Sequence, residues 1–111
     1  MHSDYGLPME VTENGCAFND GPDASGVVDD QRRIAFYKGY IAAVHRAIQE
    51  GADVRGFHAW SLMDNFEWLQ GFAMRFGLTY VDFTSPARTR TVKESGRWFA
   101  QLAASNRLAM S

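Results

Sequence analysis

Trp60-Ser61-Leu62-Met63-Asp64-Asn65-Phe66-Glu67-Trp68 follows a run of large side chains that begins at Val54. Thr12-Glu13-Asn14-Gly15 closes a shorter apolar run upstream in the same manner. Apolar runs of this length that stop at turn-forming residues are typical of buried strands. In folds built from parallel strands, working residues stand at the C-terminal ends of the strands. The two blocks therefore predict that side chains of both strand ends share one site.

The order of apolar patterns and turn formers predicts two strand-helix units separated by a loop. The predicted segments are strand 8–13, helix 30–50, strand 54–62, a loop over 63–77 and helix 93–104. A short further strand over 78–83, antiparallel or an excursion, precedes a turn-prone connection over 84–91. Alternation of strand and helix indicates a parallel sheet with helices packed outside it, which is the α/β class.

Helix 30–50 has the clearest periodicity. Its apolar residues recur at steps of three or four and predict one buried stripe, made of Ile34, Tyr37, Ile41, Val44 and Ile48. Asp29 or Asp30 can cap its start, and Gly51 is placed to end it. Trp98, Phe99 and Leu102 are expected on the inner face of helix 93–104.

Composition excludes several classes of protein. The chain of 111 residues carries 11 Lys and Arg against 13 Asp and Glu, with no basic run, so nucleic acid is not an expected partner. Cys16 is the single cysteine, which rules out a disulfide within the chain. No apolar stretch approaches the roughly 18 residues of a membrane span, so no membrane is expected. The histidines lack ligand spacing with an acidic partner, so neither a metal nor another cofactor is expected.

Together with Arg75-Phe76-Gly77-Leu78-Thr79-Tyr80-Val81-Asp82, the two blocks resemble the C-terminal part of family 1 glycoside hydrolases, the retaining β-glucosidases. The resemblance runs from about Tyr5 to Trp98, in the family's order and with similar spacing. It implies that residues 1–111 are the C-terminal βα units of a (β/α)8 TIM barrel within a single glycosidase domain. A complete barrel needs about 250 residues. A chain of 111 residues is therefore expected to be incomplete as a barrel.

The resemblance also implies roles for five residues. Glu13 matches the catalytic nucleophile, and Trp60 matches the tryptophan whose face packs on the sugar that is cleaved off. Glu67 matches the carboxylate that accepts hydrogen bonds from the outer hydroxyls of that sugar, and Trp68 matches an indole N–H donor to a neighbouring hydroxyl. Phe76 matches an aromatic side chain close to the site, where core packing is an equal alternative.

The second carboxyl that this chemistry requires is absent from the chain. Retaining glycosidases use two carboxyl groups about 5–5.5 Å apart, and in the family the acid/base belongs to an earlier Asn-Glu-Pro. The three prolines here follow Leu7, Gly21 and Ser85, so that tripeptide does not occur. Glu10 lies three residues before Glu13 on a strand, which predicts that its side chain points to the opposite face.

Two functions from different classes follow. In the first, the chain is part of a retaining β-glycosidase that hydrolyses β-linked glucosides or galactosides from the non-reducing end. It supplies the nucleophile and the sugar contacts, and is inactive without a missing N-terminal barrel portion. In the second, it is a non-catalytic barrel fragment that self-associates or serves as a folding or assembly module. The expected location is the cytoplasm, inferred only from the lack of a signal peptide on an N-terminus that is expected to be truncated.

Overall fold

The computed structural model describes residues 2–109, which form three helices, four strands and a 3-10 turn. The elements are α1 His2–Tyr5, β1 Met9–Asn14, α2 Gln31–Gln49, β2 Val54–Ala59, the 3-10 helix Trp68–Gln70, β3 Thr79–Val81, β4 Arg90–Val92 and α3 Glu94–Ser105. β1 pairs with β2 in parallel, and β3 pairs with β4 antiparallel. Each pair is a sheet of its own, and the described residues form no closed barrel.

The long helices fill the connections that the parallel pair requires. α2 leads from β1 to β2, as expected for a crossover between parallel strands. It begins one residue after the predicted start and ends one residue before the predicted end. Gly51 follows it with a φ of 103°, a conformation that favours glycine at the end of a helix. None of the helices within residues 2–109 is long and apolar enough to cross a bilayer.

The predicted strand 54–62 is longer than the observed β2, and the predicted connection 84–91 contains the start of a strand, β4. β2 ends at Ala59, because Ser61 leaves the ladder with β1 and pairs instead with the segment after the loop. The Ser61 N–H donates to the carbonyl of Phe76 at 3.1 Å, and its carbonyl accepts from Leu78 at 2.8 Å. β4 extends to Val92 and pairs with β3, so the short third strand becomes half of a hairpin.

The core is small and lies where α2 meets β2 and α3. The Tyr37 ring packs edge-on against Phe57 of β2 and Phe99 of α3, with centroid distances of 6.4 and 5.8 Å. Ile34 and Tyr37 are buried, whereas Ile48 is 46% exposed. The predicted buried stripe is therefore wrong at Ile48, and Ile41 and Val44 are half-buried. Ile41, Val44 and Ile48 line an open groove of about 600 Å³ with Val54 and Leu102.

Gly15 follows β1 at a point where two backbones nearly touch. A Cβ atom at this position would overlap the carbonyl oxygen of Trp60 and lie 3.0 Å from its carbonyl carbon. Because the obstructing atoms belong to the backbone, they cannot move aside as a flexible side chain could. Glycine is therefore required for the close approach of the two strand ends.

We expect Gly15→Ala to lower the free energy of unfolding by about 3 kcal/mol, the upper end of the range for overpacked sites. Gly39→Ala is the matched control, because Gly39 lies inside α2 and no atom lies within 4 Å of the place that the added methyl group would take. That control should gain about 0.5–1 kcal/mol from helix propensity. Urea unfolding followed by circular dichroism measures both, and equal effects would contradict the assigned close approach.

Candidate functional site

The C-terminal ends of β1 and β2 bring Glu13 and Trp60 onto neighbouring strands. Asn14 stands beside Ala59 in the parallel register, and the Trp60 N–H donates to the Asn14 carbonyl at 2.7 Å. The two sequence-predicted residues therefore flank the last paired position of the ladder. Their side chains are exposed, and among residues 2–109 the Glu13 carboxylate makes no hydrogen bond or ion pair.

Register shifts interrupt the ladder between Met9 and Glu10 and, as a β-bulge, between Val11 and Asn14. Val11 pairs with Phe57 and Asn14 pairs with Ala59, so three steps on β1 match two steps on β2. The extra residue interrupts the alternation of faces, and Thr12 and Glu13 are both exposed. Glu10 contacts His58, whose neighbour Phe57 packs against α2, so Glu10 lies on the face away from α2. The prediction that Glu10 and Glu13 point to opposite faces assumed an unbroken strand, and it stays a prediction.

The phenol of Tyr37 joins the two strand ends from the helix side. Its hydroxyl lies 3.3 Å from the carbonyl oxygen of Asn14 and 3.2 Å from that of Trp60, and it can donate to either. The Tyr37 side chain is fully buried. Burial raises the pKa of Tyr37 to about 12. Sequence periodicity identified Tyr37 as a core residue but did not predict that its hydroxyl holds both strand ends.

This shift in pKa predicts a stability change at alkaline pH. In the unfolded chain the phenol loses its proton near pH 10, whereas in the folded chain it keeps it until about pH 12. Between these values the unfolded state binds fewer protons, so the free energy of unfolding falls by up to about 1.4 kcal/mol per pH unit. We expect the stability advantage of the wild type over Tyr37→Phe to shrink across pH 10–12 in urea unfolding. An advantage that is constant over this range would contradict the assignment.

Trp60 and Glu67 are joined directly. The Trp60 indole Nε1 donates to Glu67 Oε1 at 3.0 Å, although seven residues separate them. Trp60 is 39% exposed, so one part of the indole remains open while its N–H is held. This contact brings the predicted sugar-facing indole and the predicted hydroxyl-binding carboxylate into one unit.

Trp68 and Phe76 are less closely tied to that unit. Trp68 opens the 3-10 helix, inside the segment predicted as a loop over 63–77, and its side chain is 86% exposed. Phe76 is placed near Trp60 through its backbone carbonyl, which accepts from the Ser61 N–H. The peptide bond between Trp60 and Ser61 is cis. The structure thus joins Trp60 to Glu67, sets Glu13 and Trp60 at paired strand ends, and leaves the Trp68 side chain exposed.

The buried carboxylate of Asp64 organises the loop that carries Glu67. It accepts from Arg75 at 2.7 Å and Lys93 at 2.9 Å, and from the backbone N–H groups of Gly77 and Val81. Asp64 is 3% exposed and Lys93 is fully buried. Burial and the nearby Arg33 lower the pKa of Lys93, and the Asp64 carboxylate opposes that change. The sequence indicated a loop-shaping role for Asp64. It did not predict the partners of Asp64, which lie up to 29 residues away in the chain.

A second buried ion pair anchors the start of α2. Arg33 and Asp30 are fully buried, and the Arg33 guanidinium contacts Asp30 at 2.6 Å. The other Asp30 bonds come from the backbone N–H and hydroxyl of Ser95 on α3. Asp30 is therefore the N-cap residue of α2, one of the two predicted candidates, but its side chain makes no cap bond. The Arg33 guanidinium also donates to the carbonyls of Phe18 and Arg75. Arg75 belongs to the loop over 63–77, called the site loop below, so Arg33 ties α2 to this loop.

We expect Asp64→Asn to lower the free energy of unfolding by about 3–5 kcal/mol, because it leaves Arg75 and Lys93 facing a neutral side chain. Asp29→Asn is the matched control, since Asp29 is exposed and bonds only to Gln31 among the described residues. That surface substitution should stay within about 0.5 kcal/mol. Urea unfolding compares the two variants, and similar losses would rule out a special role for the buried carboxylate.

Comparison with known proteins assigns the chain to a class. The model of glycosyl hydrolase family 1 matches residues 1–108. Over 103 residues the chain is 50% identical to a bifunctional β-D-glucosidase/β-D-fucosidase of Bifidobacterium breve, covering 89% of this chain and 22% of that protein. Over 109 residues it is 45% identical to β-glucosidase A of Thermotoga maritima, covering 97% of this chain and 24% of that one. The chain belongs to glycosyl hydrolase family 1.

The fold agrees with this membership. A solved family 1 β-glucosidase from Thermotoga maritima matches with a TM-score of 0.93 and 41% identity, over 97% of this chain and 24% of that structure. The chain spans about a quarter of the length of such relatives. It accordingly has the fold of part of a TIM barrel, with two small sheets in the described residues. Residues 2–109 contain no group of three or more His, Cys, Asp or Glu side chains arranged to hold a metal ion.

Proposed function

We propose that this chain carries the nucleophile and the sugar-binding side chains of a retaining β-glycosidase, and that the acid/base belongs to a separate barrel portion. Family membership supports the reaction class, because the matched relatives are β-glucosidases and one is a β-glucosidase/β-fucosidase. The observation that carries the proposal is the pairing of strand ends, in which Glu13 and Trp60 flank the last paired position and both have exposed side chains. β-Linked glucosides or galactosides are the proposed substrates.

The proposed mechanism gives each side chain one task. The ionised Glu13 carboxylate attacks the anomeric carbon of the sugar, and the bond to the leaving oxygen breaks as a glycosyl ester forms. The carboxyl of the complementary portion protonates the leaving oxygen and later removes a proton from water, which releases the sugar and regenerates Glu13. Glu13 makes no ion pair within residues 2–109 that would occupy its oxygens.

The remaining side chains would hold the sugar in place. The Trp60 indole would cover the apolar C–H face of the ring, which costs little conformational entropy because the indole is rigid. Glu67 would accept hydrogen bonds from the outer hydroxyls, and such bonds to a charged oxygen are stronger than neutral ones. The 3.0 Å bond from the Trp60 indole already orients this carboxylate. Trp68 and Phe76 are proposed as further contacts at the edge of the same sugar.

Complementation tests this proposal. We expect the isolated chain to give no turnover of an aryl β-glucoside, since half of the carboxyl pair is absent. Mixing it with the portion of Thermotoga maritima β-glucosidase A that it does not match should restore hydrolysis. In that mixture Glu13→Gln should lower kcat on the order of 10⁴-fold. Glu50→Gln, a matched change at the exposed end of α2, should leave kcat unchanged.

A covalent trap identifies the nucleophile independently of rate. An activated 2-deoxy-2-fluoroglucoside slows hydrolysis of the glycosyl ester, so the ester accumulates and adds the mass of one fluoroglucosyl group. We expect peptide mass spectrometry to find this group on Glu13. Activity of the isolated chain, or labelling of another carboxylate, would contradict the assigned roles.

A second candidate function is self-association without catalysis. It is favoured by the exposure of apolar side chains in and next to the site loop. Leu62, just before this loop, is 70% exposed, and Phe66, within it, is 60% exposed. Exposed apolar patches of this kind are rare on monomeric proteins. An oligomer that forms from the isolated chain and stays inactive with the complementary portion would favour this candidate.

A further inference from the structure

We propose that Glu10 and His58 are positioning residues that set the register of the two strands beneath Glu13 and Trp60. The importance of this pair for catalysis rests on the proposed function. The structural link itself does not, and it is tested without any sugar. Neither residue belongs to the five assigned to the site above.

The pair lies directly below the two strand ends. Glu10 of β1 contacts His58 Nε2 of β2 through its Oε1 atom. His58 is two residues before Trp60, and both side chains are exposed. Glu10 precedes the bulge between Val11 and Asn14, and Glu13 lies within it. The link therefore joins the strands immediately before the bulge that contains the proposed nucleophile.

Gly56 makes this contact possible. It stands beside Glu10 in the register, and a Cβ atom on it would lie 2.8 Å from Glu10 Oε1 and 2.9 Å from Glu10 Cγ. The Glu10 side chain therefore lies flat across the bare backbone of Gly56 to reach His58. The backbone of Gly56 shows no positive φ, so conformational freedom does not account for a glycine here. The packing of the Glu10 side chain against Gly56 explains why a glycine stands at this position.

A bulged ladder needs such a link. A bulge leaves one residue unpaired and weakens the local ladder, so the register on either side depends on side-chain contacts across the strands. Slippage by one residue would turn the side chains of β1 to the other face. The Glu10–His58 contact opposes this slippage on the open face, while Tyr37 opposes it on the helix face.

The link depends on protonation because of its chemistry. Protonated His58 forms an ion pair with the Glu10 carboxylate, whereas neutral His58 can only donate a hydrogen bond from Nε2 to that carboxylate. Two other carboxylates stand at the strand ends and the loop, namely the exposed Glu13 on β1 and Glu67, which bonds to Trp60. Arg55 pairs with Asp53 and lines the groove on the α2 side of the sheet. The His58 and Glu10 side chains are 59% and 52% exposed, so solvent screens their attraction within the described residues. Their geometric constraint on the strands remains.

Nuclear magnetic resonance of the 111-residue chain tests the link. The three tryptophan indole N–H signals are assigned by single Trp→Phe substitutions, and the His58 and His45 ring signals by single His→Gln substitutions. We expect the Trp60 indole signal to change with pH at the same midpoint as the His58 ring. The Trp98 indole on α3 should not follow that midpoint.

Two variants break the link by different routes. Glu10→Gln removes the charge, and Gly56→Ala displaces Glu10 while keeping both members of the pair. Each should reduce the pH-dependent shift of the Trp60 indole by at least half. His45→Gln, on the exposed surface of α2, should leave that shift unchanged.

Three outcomes would overturn the proposal. The first is a Trp60 signal that does not follow His58, and the second is a full shift retained in both variants. The third is loss of the folded spectrum in both variants, which would make the pair a requirement for folding rather than a positioning device. If the expected NMR results are obtained but the complementation assay fails, only the proposed function is contradicted.

Discussion

The parallel ladder between β1 and β2 is the constraint on which the site depends. It is short and carries a bulge, so its hydrogen bonds alone define the register weakly. Two further contacts hold it at the strand ends. The buried Tyr37 hydroxyl lies within bonding distance of both terminal carbonyls, and Gly15 lets the backbones approach. Glu13 and Trp60 are adjacent because these contacts act at the same place.

Buried charges replace part of the apolar core that so small a set of sheets cannot build. Within the described part of the chain the buried apolar side chains are few, namely Val28, Ile34, Tyr37, Leu78 and Val81. Around them, Asp30 with Arg33 and Asp64 with Arg75 and Lys93 connect α2, the site loop and α3. Such clusters stabilise only when every partner is present, because one unpaired buried charge is costly. They give the loop a defined shape without a large hydrophobic core.

The two faces of the β1–β2 sheet have different roles. One face is covered by α2 through Tyr37 and Phe57, and the other carries the Glu10–His58 contact, with exposed Glu13 and Trp60 at the strand ends. The exposed face combines carboxylates with an indole, a composition suited to a ring that has polar edges and an apolar face. This division follows from the crossover, which places its helix on one side of a parallel pair. The proposed chemistry occupies the side that the helix leaves open.

The sequence by itself determined the order of the main elements and the blocks that carry the site. Local patterns suffice for these, because the periodicity of α2 and the stop at Gly51 involve residues close in the chain. Tertiary structure decided the bulge between Val11 and Asn14, the early end of β2 at Ala59 and the exposure of Ile48. It also decided the partners of Asp64 and the bond from Trp60 to Glu67. The physical reason is that each depends on atoms of distant segments, whose approach no local pattern of apolar and polar residues records.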